Sequence, residues 1–365
     1  MKFGMTITMC NLTSLIVESC GGLKYLFSST MVGSFKNLKH LEISDCPLME
    51  EIIAKEERNN EIEEVHFFKL EKITLMDMDN LKTIWHREFE TVKQLEVINC
   101  KKIVVVFPSS MQTTYKKLEM LEVTDCALVE EIFELSFNEN SSAENATHLK
   151  VVIDGLPKLK NIWSGDLRRI LSFQILIFVR VTNCESLEYL LPLSIATRCS
   201  HLQKLHIKNC GNMKEIVAEE KEKEFGVSAA PTFEFNQLSS LLLWNLHKLK
   251  GFYAKEHTLA CLSLKSINVS NCAKLNLYRT LSTRSSNFQD DQLSVLTPQP
   301  PFIVEEVISN LKELRVNHKE ANLVCPIILL KMLHSLIGFF KMCTLLSHYV
   351  LNGVASRKYF KMKDK

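Results

Sequence analysis

Apolar residues recur at fixed distances along most of the chain. In the segment LKHLEISDCPLMEEII, apolar side chains stand at Leu38, Leu41 and Ile43 before Cys46, and at Met49 after it. The alternation of Leu41 and Ile43 is typical of a short strand that buries one face. We therefore predict a strand that ends in a turn at Cys46, with Met49 packing back beneath that turn.

The same spacing surrounds ten positions: Cys20, Cys46, Met78, Cys100, Cys126, Leu156, Cys184, Cys210, Leu246 and Cys272. Thirty-nine of the forty positions that should be apolar are apolar, whereas the 46% hydrophobic content would give about 18 by chance. His148 is the exception, with Leu149 beside it. The pattern L-x-x-L-x-L-x-x-C is typical of leucine-rich repeats. We predict an α/β solenoid, in which a curved parallel β-sheet forms the concave face and irregular loops and short helices form the convex face.

The repeats also follow one another in triplets. Those at Cys46, Cys126 and Cys210 continue into PLMEEII, ALVEEIF and GNMKEIV, and each is followed by a polar, acidic insertion. The repeats at Met78 and Leu156 then continue into LKTIW and LKNIW. This order indicates duplication of a three-repeat unit, with insertions that we interpret as solvated surface loops.

The chain divides by composition into four segments. Residues 1–11 are a short N-terminal lead-in, 12–279 the solenoid of ten repeats, 280–303 a polar linker or loop, and 304–365 a degenerate repeat with an apolar tail. We predict that the tail is helical; the alternatives are a membrane-associated segment or a sequence shifted out of its repeats by truncation. Because little precedes the first repeat, we expect an open apolar edge there, as in the C-terminal part of a longer protein or in a truncated gene product.

Composition and charge narrow the class of protein. The 365 residues are 46% hydrophobic and 24% charged, which indicates a folded, soluble chain, and the net charge of +2 does not point to nucleic acid or a membrane surface. Seven of the twelve cysteines occupy the repeat position and none forms C-x-x-C, so we predict buried free thiols in a reducing compartment. No secretory signal opens the chain, and we expect it in the cytoplasm.

Motifs of catalysis and cofactor binding are missing from the sequence. It contains no G-x-x-x-x-G-K-[ST], G-x-G-x-x-G, H-E-x-x-H or G-x-S-x-G. The 11 histidines are scattered, and the carboxylates cluster in the insertions. We predict that the chain is not an enzyme and has no catalytic, cofactor-binding or metal-binding residues.

The residues that flank the inward strand positions should line the concave face. From them we predict a protein-binding surface of fourteen residues: His40, Glu42, Ser44, Gln94, Glu96, Glu122, Thr124, Arg180, Lys204, His206, Lys208, Leu242, Trp244 and Asn268. Trp244 is included because outward aromatic residues often bind partners. Trp85, Trp163 and Tyr253 share another repeat position, and we predict that they fill the convex side of the core.

The segments LEISDCPLMEEIIAKEE, LQKLHIKNCGNMKEIVAEE, LKTIWHREF and LPKLKNIWSGDL carry a family resemblance. They resemble the leucine-rich-repeat region of plant coiled-coil, nucleotide-binding disease-resistance proteins, over residues 12–278. The resemblance implies a module that recognises a pathogen effector or a guarded host protein and holds a nucleotide-binding switch inactive. Since the chain lacks a nucleotide-binding segment, we expect no nucleotide cofactor, and the missing nucleotide-binding domain becomes a third possible protein partner.

Two other protein classes use similar repeats. F-box adaptors of ubiquitin ligases select substrates with cysteine-containing repeats, but they need an N-terminal helical F-box, for which residues 1–11 leave no room. A secreted receptor ectodomain would have a signal sequence, capping disulfides and Asn in place of the repeat cysteine. The sequence therefore favours the immune-receptor interpretation, with the F-box adaptor as the alternative.

Overall fold

The computed structural model of the protein describes residues 9, 11–28, 31–54, 69–84, 91–109, 117–135, 148–165, 175–220, 231–255, 257–275, 312–317 and 349–352. In chain order its strands are β1 (Ser14–Glu18), β2 (His40–Ser44), β3 (Lys72–Met76), β4 (Gln94–Ile98), β5 (Val105–Phe107), β6 (Met120–Thr124), β7 (Glu131–Leu135), β8 (His148–Asp154), β9 (Asn161–Gly165), β10 (Ile175–Thr182), β11 (Leu191–Pro192), β12 (Lys204–Lys208), β13 (Val217–Ala218), β14 (Thr232–Glu234), β15 (Ser240–Trp244), β16 (Thr258–Ala260), β17 (Ser266–Ser270), β18 (Glu313–Asn317) and β19 (Tyr349–Asn352).

Twelve of these strands form one large parallel sheet, in the order β1-β2-β3-β4-β6-β8-β10-β12-β15-β17-β18-β19. Each of the ten repeats contributes one strand, and equivalent positions of neighbouring repeats lie opposite each other. Leu41 of β2, for example, pairs with Ile73 of β3, and Glu42 pairs with Thr74. The chain is therefore a parallel solenoid of stacked coils, as the spacing of its apolar residues predicts.

The exception at His148 is accommodated by a local shift in pairing. Leu149 lies opposite Leu176, and the register between β8 and β10 shifts between Leu176 and Phe178. His148 is exposed, while Leu149 is fully buried in its place. The shift thus keeps an apolar side chain at the start of this coil.

The apolar repeat positions form one continuous core. In the second repeat, Leu38, Leu41, Ile43, Cys46 and Met49 expose at most 1% of their surface, and the later repeats are buried to a similar degree. Complete burial of one such side chain contributes about 1.5–3 kcal/mol relative to its exposed state. Burial of the same five positions in each coil therefore provides most of the free energy that holds neighbouring coils together.

The first repeat is less well covered than the others. Leu12, Leu15, Val17 and Cys20 are only partly buried against the core, and Leu23 is 37% exposed. Among the described residues, β1 pairs with β2 alone. Within the described residues, the apolar side chains of the first coil are therefore less completely buried than those of the interior coils.

Short parallel strands pair on the side of the coils away from the large sheet. They form a three-stranded sheet, β5-β7-β9, and two-stranded sheets β11-β13 and β14-β16. The rings of Phe107 and Phe133 stack at 5.1 Å between centroids, and Phe133 and Trp163 follow at 6.2 Å. An aromatic column thus fills the core behind this sheet.

These short strands correct the prediction of helices on the convex face. Within the described ranges, the helical segments are α1 (Leu193–Ala196) and a 3₁₀ turn at Val32–Ser34. β-Branched and aromatic pairs such as Ile132-Phe133 and Ile162-Trp163 stack well on a pleated surface, which favours β structure over helix. The parallel-sheet part of the α/β prediction is confirmed, whereas the convex side, within the described ranges, consists of short strands and loops with almost no helix.

The chain turns sharply after each strand through a residue with positive φ. The positions are Ser19, Asp45, Asp77, Asn99, Asp125, Gly155, Asn183, Asn209, Asn245 and Asn271, with φ between 49° and 64°. Asn and Asp tolerate this left-handed conformation better than other non-glycine residues. At nine of these positions the backbone N–H donates a hydrogen bond to a carbonyl at the end of the next strand in the large sheet. Asn209 N, for example, donates to the Trp244 carbonyl at 2.9 Å. Each turn therefore also links its coil to the next.

The repeat cysteines lie directly after these turn residues. Cys46, Cys126, Cys184 and Cys210 each donate a thiol hydrogen bond to the carbonyl two residues earlier, at 3.2–3.3 Å. All nine cysteines in the described ranges are free thiols. The predicted buried, weakly bonded thiol is confirmed at these positions.

The C-terminal part of the chain adds two strands to the large sheet. Leu314 lies opposite Ile267 and Val316 opposite Val269, so the degenerate repeat still forms its strand although Lys319 replaces the cysteine. In the apolar tail, where we predict a helix, the described segment Tyr349–Asn352 is a strand that pairs with β18. The rest of the tail, including Lys319, lies outside the described residues.

Candidate functional site

Three outward-pointing side chains from the large-sheet strand of each of the ten repeats form a continuous surface, which we call the exposed sheet face. All fourteen residues that the sequence predicts for partner binding lie on it, in strands β2, β4, β6, β10, β12, β15 and β17. Within β2, β4, β6, β12, β15 and β17 the two intervening residues are buried. The alternation of the strands thus separates this surface from the core.

The part of this face nearer the N-terminus is acidic. Glu96 of β4 lies opposite Glu122 of β6, and Glu42 is on the same row of the sheet. Lys72 pairs with Glu96 at 2.8 Å, and the Thr74 hydroxyl donates to the same carboxylate at 2.9 Å. Glu96 is therefore held in place, while Glu122 forms no ion pair with another described residue.

The next strands carry a cluster of cations. Arg180 of β10 lies opposite His206 of β12, and Lys204 and Lys208 stand on either side of His206 in the same strand. The exposed positions of β10, β12, β15 and β17 include no carboxylate. The face therefore changes from acidic to basic between β6 and β10.

His206 is the central side chain of this basic cluster. Its imidazole Nε2 lies 3.1 Å from the Ser240 hydroxyl, and its ring meets the edge of Phe178 at 5.8 Å between centroids. Partial burial lowers the pKa of His206, and the positive charges of Lys204, Lys208 and Arg180 lower it further. These surroundings therefore favour the neutral form of the imidazole.

Apolar side chains border the basic cluster on its C-terminal side. Leu242 lies opposite His206, and Trp244 lies opposite Lys208. Trp244 exposes 38% of its surface, whereas Trp163 exposes 1%. Its predicted outward position is confirmed.

An open groove of about 730 Å³ lies between the acidic and basic parts of the face. It is lined by Gln94, Glu96, Met120, Lys150, Ile177 and Gln203, among others. The longer strands β8 and β10 extend beside it. The groove therefore offers carboxylate, amide, ammonium and apolar groups to one ligand, a mixture that suits a peptide better than a single small ion.

The structure gathers the predicted residues into three groups. His40, Glu42 and Ser44 lie together on β2; those of β4 and β6 form a second group, and those of β10 to β17 a third. The fourteen-residue prediction omits Lys72, Phe178 and Lys150, which contact or border the selected residues. The register between repeats places Lys72 opposite Gln94 and Phe178 opposite Lys204, and Lys150 lies opposite Phe178.

The aromatic residues assigned to the convex side are buried where they are described. Trp163 and Tyr253 expose 1% and 3% of their surface, which confirms their place in the core. Trp85 lies outside the described residues. Within the described ranges, no group of three or more His, Cys, Asp or Glu side chains is arranged to hold a metal ion, and no helix is long and apolar enough to cross a membrane.

Sequence comparison assigns the repeats to a known family. The family model of plant disease resistance protein RPS2-like, leucine-rich repeats, matches residues 2–92, 86–211 and 200–297. The chain belongs to this RPS2-like leucine-rich-repeat family. No curated protein matches the sequence. Leucine-rich repeats generally bind other proteins, so the exposed sheet face is the candidate binding surface of this RPS2-like chain.

Proposed function

We propose that this chain is the protein-recognition module of a plant intracellular immune receptor, or a fragment of one. In this proposal the exposed sheet face binds a pathogen effector or a guarded host protein in the cytoplasm, as part of a defence response. The nucleotide-binding domain of such receptors is a further candidate partner. The chain acts by binding and not as an enzyme.

The main support is the match of the RPS2-like repeats to most of the chain. A second support is the chemistry of the exposed sheet face, which changes from acidic to basic to apolar over consecutive strands. Such variation gives each region of the surface a different partner preference, because charge complementarity sets specificity in protein complexes. The family match also favours this function over substrate selection by an F-box adaptor.

Site-specific crosslinking in leaf cells tests this proposal. A photoreactive amino acid is placed at Gln94 or Glu122 on the exposed sheet face, and at Glu234, which is exposed on β14 away from that face. We expect one protein to crosslink from both sheet positions and not from Glu234. The captured protein is then identified by mass spectrometry.

A charge substitution makes the test specific. Glu122→Lys should abolish capture of that protein, whereas Glu234→Lys, with the same charge change, should leave capture intact. The proposal is wrong if capture survives Glu122→Lys together with Glu96→Lys, or if it depends equally on Glu234. Circular dichroism of each variant would verify that the solenoid is still folded.

A further inference from the structure

We propose that the basic cluster of Arg180, Lys204, His206 and Lys208, with Leu242 and Trp244 beside it, binds an acidic segment of a partner protein that also carries an apolar side chain. This inference rests on the proposed protein-binding function and specifies the chemistry of one partner segment. The acidic region around Glu96 and Glu122 is outside this subsite.

The first argument is uncompensated charge. Elsewhere in the described coils, several lysines are paired with acids of the neighbouring repeat: Lys160 with Glu130, Lys214 with Glu188, and Lys72 with Glu96. No such ion pair is formed by Arg180, Lys204 or Lys208 within the described ranges. A carboxylate-bearing partner would supply the missing charges.

The second argument is the spacing of these cations. Neighbouring strands lie about 4.8 Å apart and alternate residues of a strand about 6.6 Å apart. Arg180 is one strand from His206, and Lys204 and Lys208 are two residues from it. Arg180, Lys204 and Lys208 are therefore all within reach of a single peptide segment that carries two or three carboxylates.

The third argument distinguishes a protein segment from a general polyanion. Leu242 and Trp244 add apolar surface directly opposite His206 and Lys208. A phosphate backbone would gain little from Leu242, whereas a peptide can place an apolar side chain there between its carboxylates. The subsite is also small, and the net charge of the whole chain is only +2. Neither feature favours binding of a long polyanion.

The state of His206 supports this partner chemistry. Its pKa is lowered first by partial burial and then by Lys204, Lys208 and Arg180. Ser240, Phe178 and Leu242 are its other neighbours across the strands. Carboxylates placed over the cluster would offset the cationic repulsion and favour the protonated ring, so binding should be accompanied by proton uptake.

The test measures binding of the full chain to fluorescent peptides by anisotropy. One short peptide contains several Glu residues and one Leu, and the other has Gln in place of Glu. We expect the acidic peptide to bind at least about tenfold more tightly at low salt, with the difference shrinking as salt screens the charges. An oligonucleotide and phosphatidylserine vesicles serve as alternative anionic probes.

Matched variants locate the binding site. Lys204→Glu with Lys208→Glu should weaken binding of the acidic peptide by about tenfold or more, and Trp244→Ala should weaken it several-fold. Lys36→Glu with Lys39→Glu makes the same charge change at exposed positions near β2 and should have little effect.

Two outcomes overturn the inference. In the first, both peptides bind equally, or the Lys36 and Lys39 variant loses as much affinity as the Lys204 and Lys208 variant. In the second, the oligonucleotide or the vesicles bind as tightly as the acidic peptide and Trp244→Ala has no effect, which would identify a general polyanion site. If either occurs while capture by crosslinking still depends on Glu122, the face binds protein and only this subsite is wrong.

Discussion

At the scale of single residues, the turn after each strand sets the strictest requirement on the sequence. Most coils place Asn or Asp there, but Gly155 combines a φ of +64° with a close approach to Asp125. A Cβ added to Gly155 would lie 2.2 Å from the Asp125 Oδ1 atom. This position therefore tolerates no side chain without movement of its neighbour.

We expect Gly155→Ala to lower the free energy of unfolding by about 1–2 kcal/mol from the left-handed backbone alone, and further because Asp125 must move. Urea unfolding followed by circular dichroism would measure the change. Gly211→Ala is the control, since an added Cβ there would meet no atom within 4 Å. Equal unfolding midpoints for the two variants would contradict this account of Gly155.

The partly buried histidine His257 makes the free energy of unfolding depend on pH. His257 packs against the rings of Phe233 and Tyr253, and its Nδ1 lies 2.8 Å from the Lys255 carbonyl oxygen. Burial lowers its pKa from the usual 6.5, an effect that its hydrogen bond to Lys255 only partly opposes. Because the unfolded chain binds the proton more readily, stability is present above pH 6.5 and is lost as the pH falls towards the folded pKa.

We therefore expect the urea midpoint to decrease between pH 7.5 and pH 5.5, with a smaller decrease in His257→Phe. His206, whose pKa is also lowered by burial, contributes in the same direction and accounts for part of the remaining dependence. His201→Asn, at an exposed histidine, should leave the pH dependence unchanged. An identical pH dependence in His257→Phe and the wild type would exclude this role of His257.

At the scale of strands and turns, the sequence predicts the large sheet much better than it predicts the convex side. The triplet His40, Glu42 and Ser44, chosen from alternation alone, coincides with the two ends and the centre of β2. On the convex side, strands such as Val105–Phe107 are too short to show a period of two, so their β structure could not be recognised. The turn residues were recognisable, because Asn or Asp precedes most repeat cysteines.

The candidate site was predictable only residue by residue. Alternation tells which side chains point outward, but the arrangement of charges depends on strands whose paired residues are at least 22 positions apart in sequence. Lys72 and Glu96, which form an ion pair, are an example. The basic cluster likewise emerges only when Arg180 is placed opposite His206 by the sheet register.

The short convex strands should be essential to the stack, although their sequence signal is weak. Phe133 of β7 is fully buried between Phe107 and Trp163. Since truncation would open a large cavity, we expect Phe133→Ala to lower the free energy of unfolding by about 3–5 kcal/mol. Val104→Ala, at a side chain that is 45% exposed, should change it by less than about 0.5 kcal/mol. Similar thermal midpoints for both variants would show that the aromatic column contributes little.

At the scale of the whole molecule, each coil contacts mainly its two neighbours, so stability should vary along the stack. In a solenoid, local stability is approximately the sum of each repeat's own contribution and its contacts with adjacent repeats. Leu15 of β1 is only partly buried, whereas Leu121 of β6, at the same repeat position, is fully buried. The first coil should therefore open more readily than the interior ones.

Hydrogen exchange measured by mass spectrometry tests this gradient. We expect the amides of β1 to exchange faster than those of β6, because opening the first coil breaks contacts with one neighbour among the described strands and opening β6 breaks contacts with two. Leu121→Ala should cost about 2–5 kcal/mol and accelerate exchange in β4 and β8 as well, whereas Leu15→Ala should cost less and affect mainly β1 and β2. If β1 and β6 exchange at the same rate, or if both substitutions accelerate exchange throughout the stack equally, the solenoid unfolds as a single cooperative unit and the nearest-neighbour description fails for this chain.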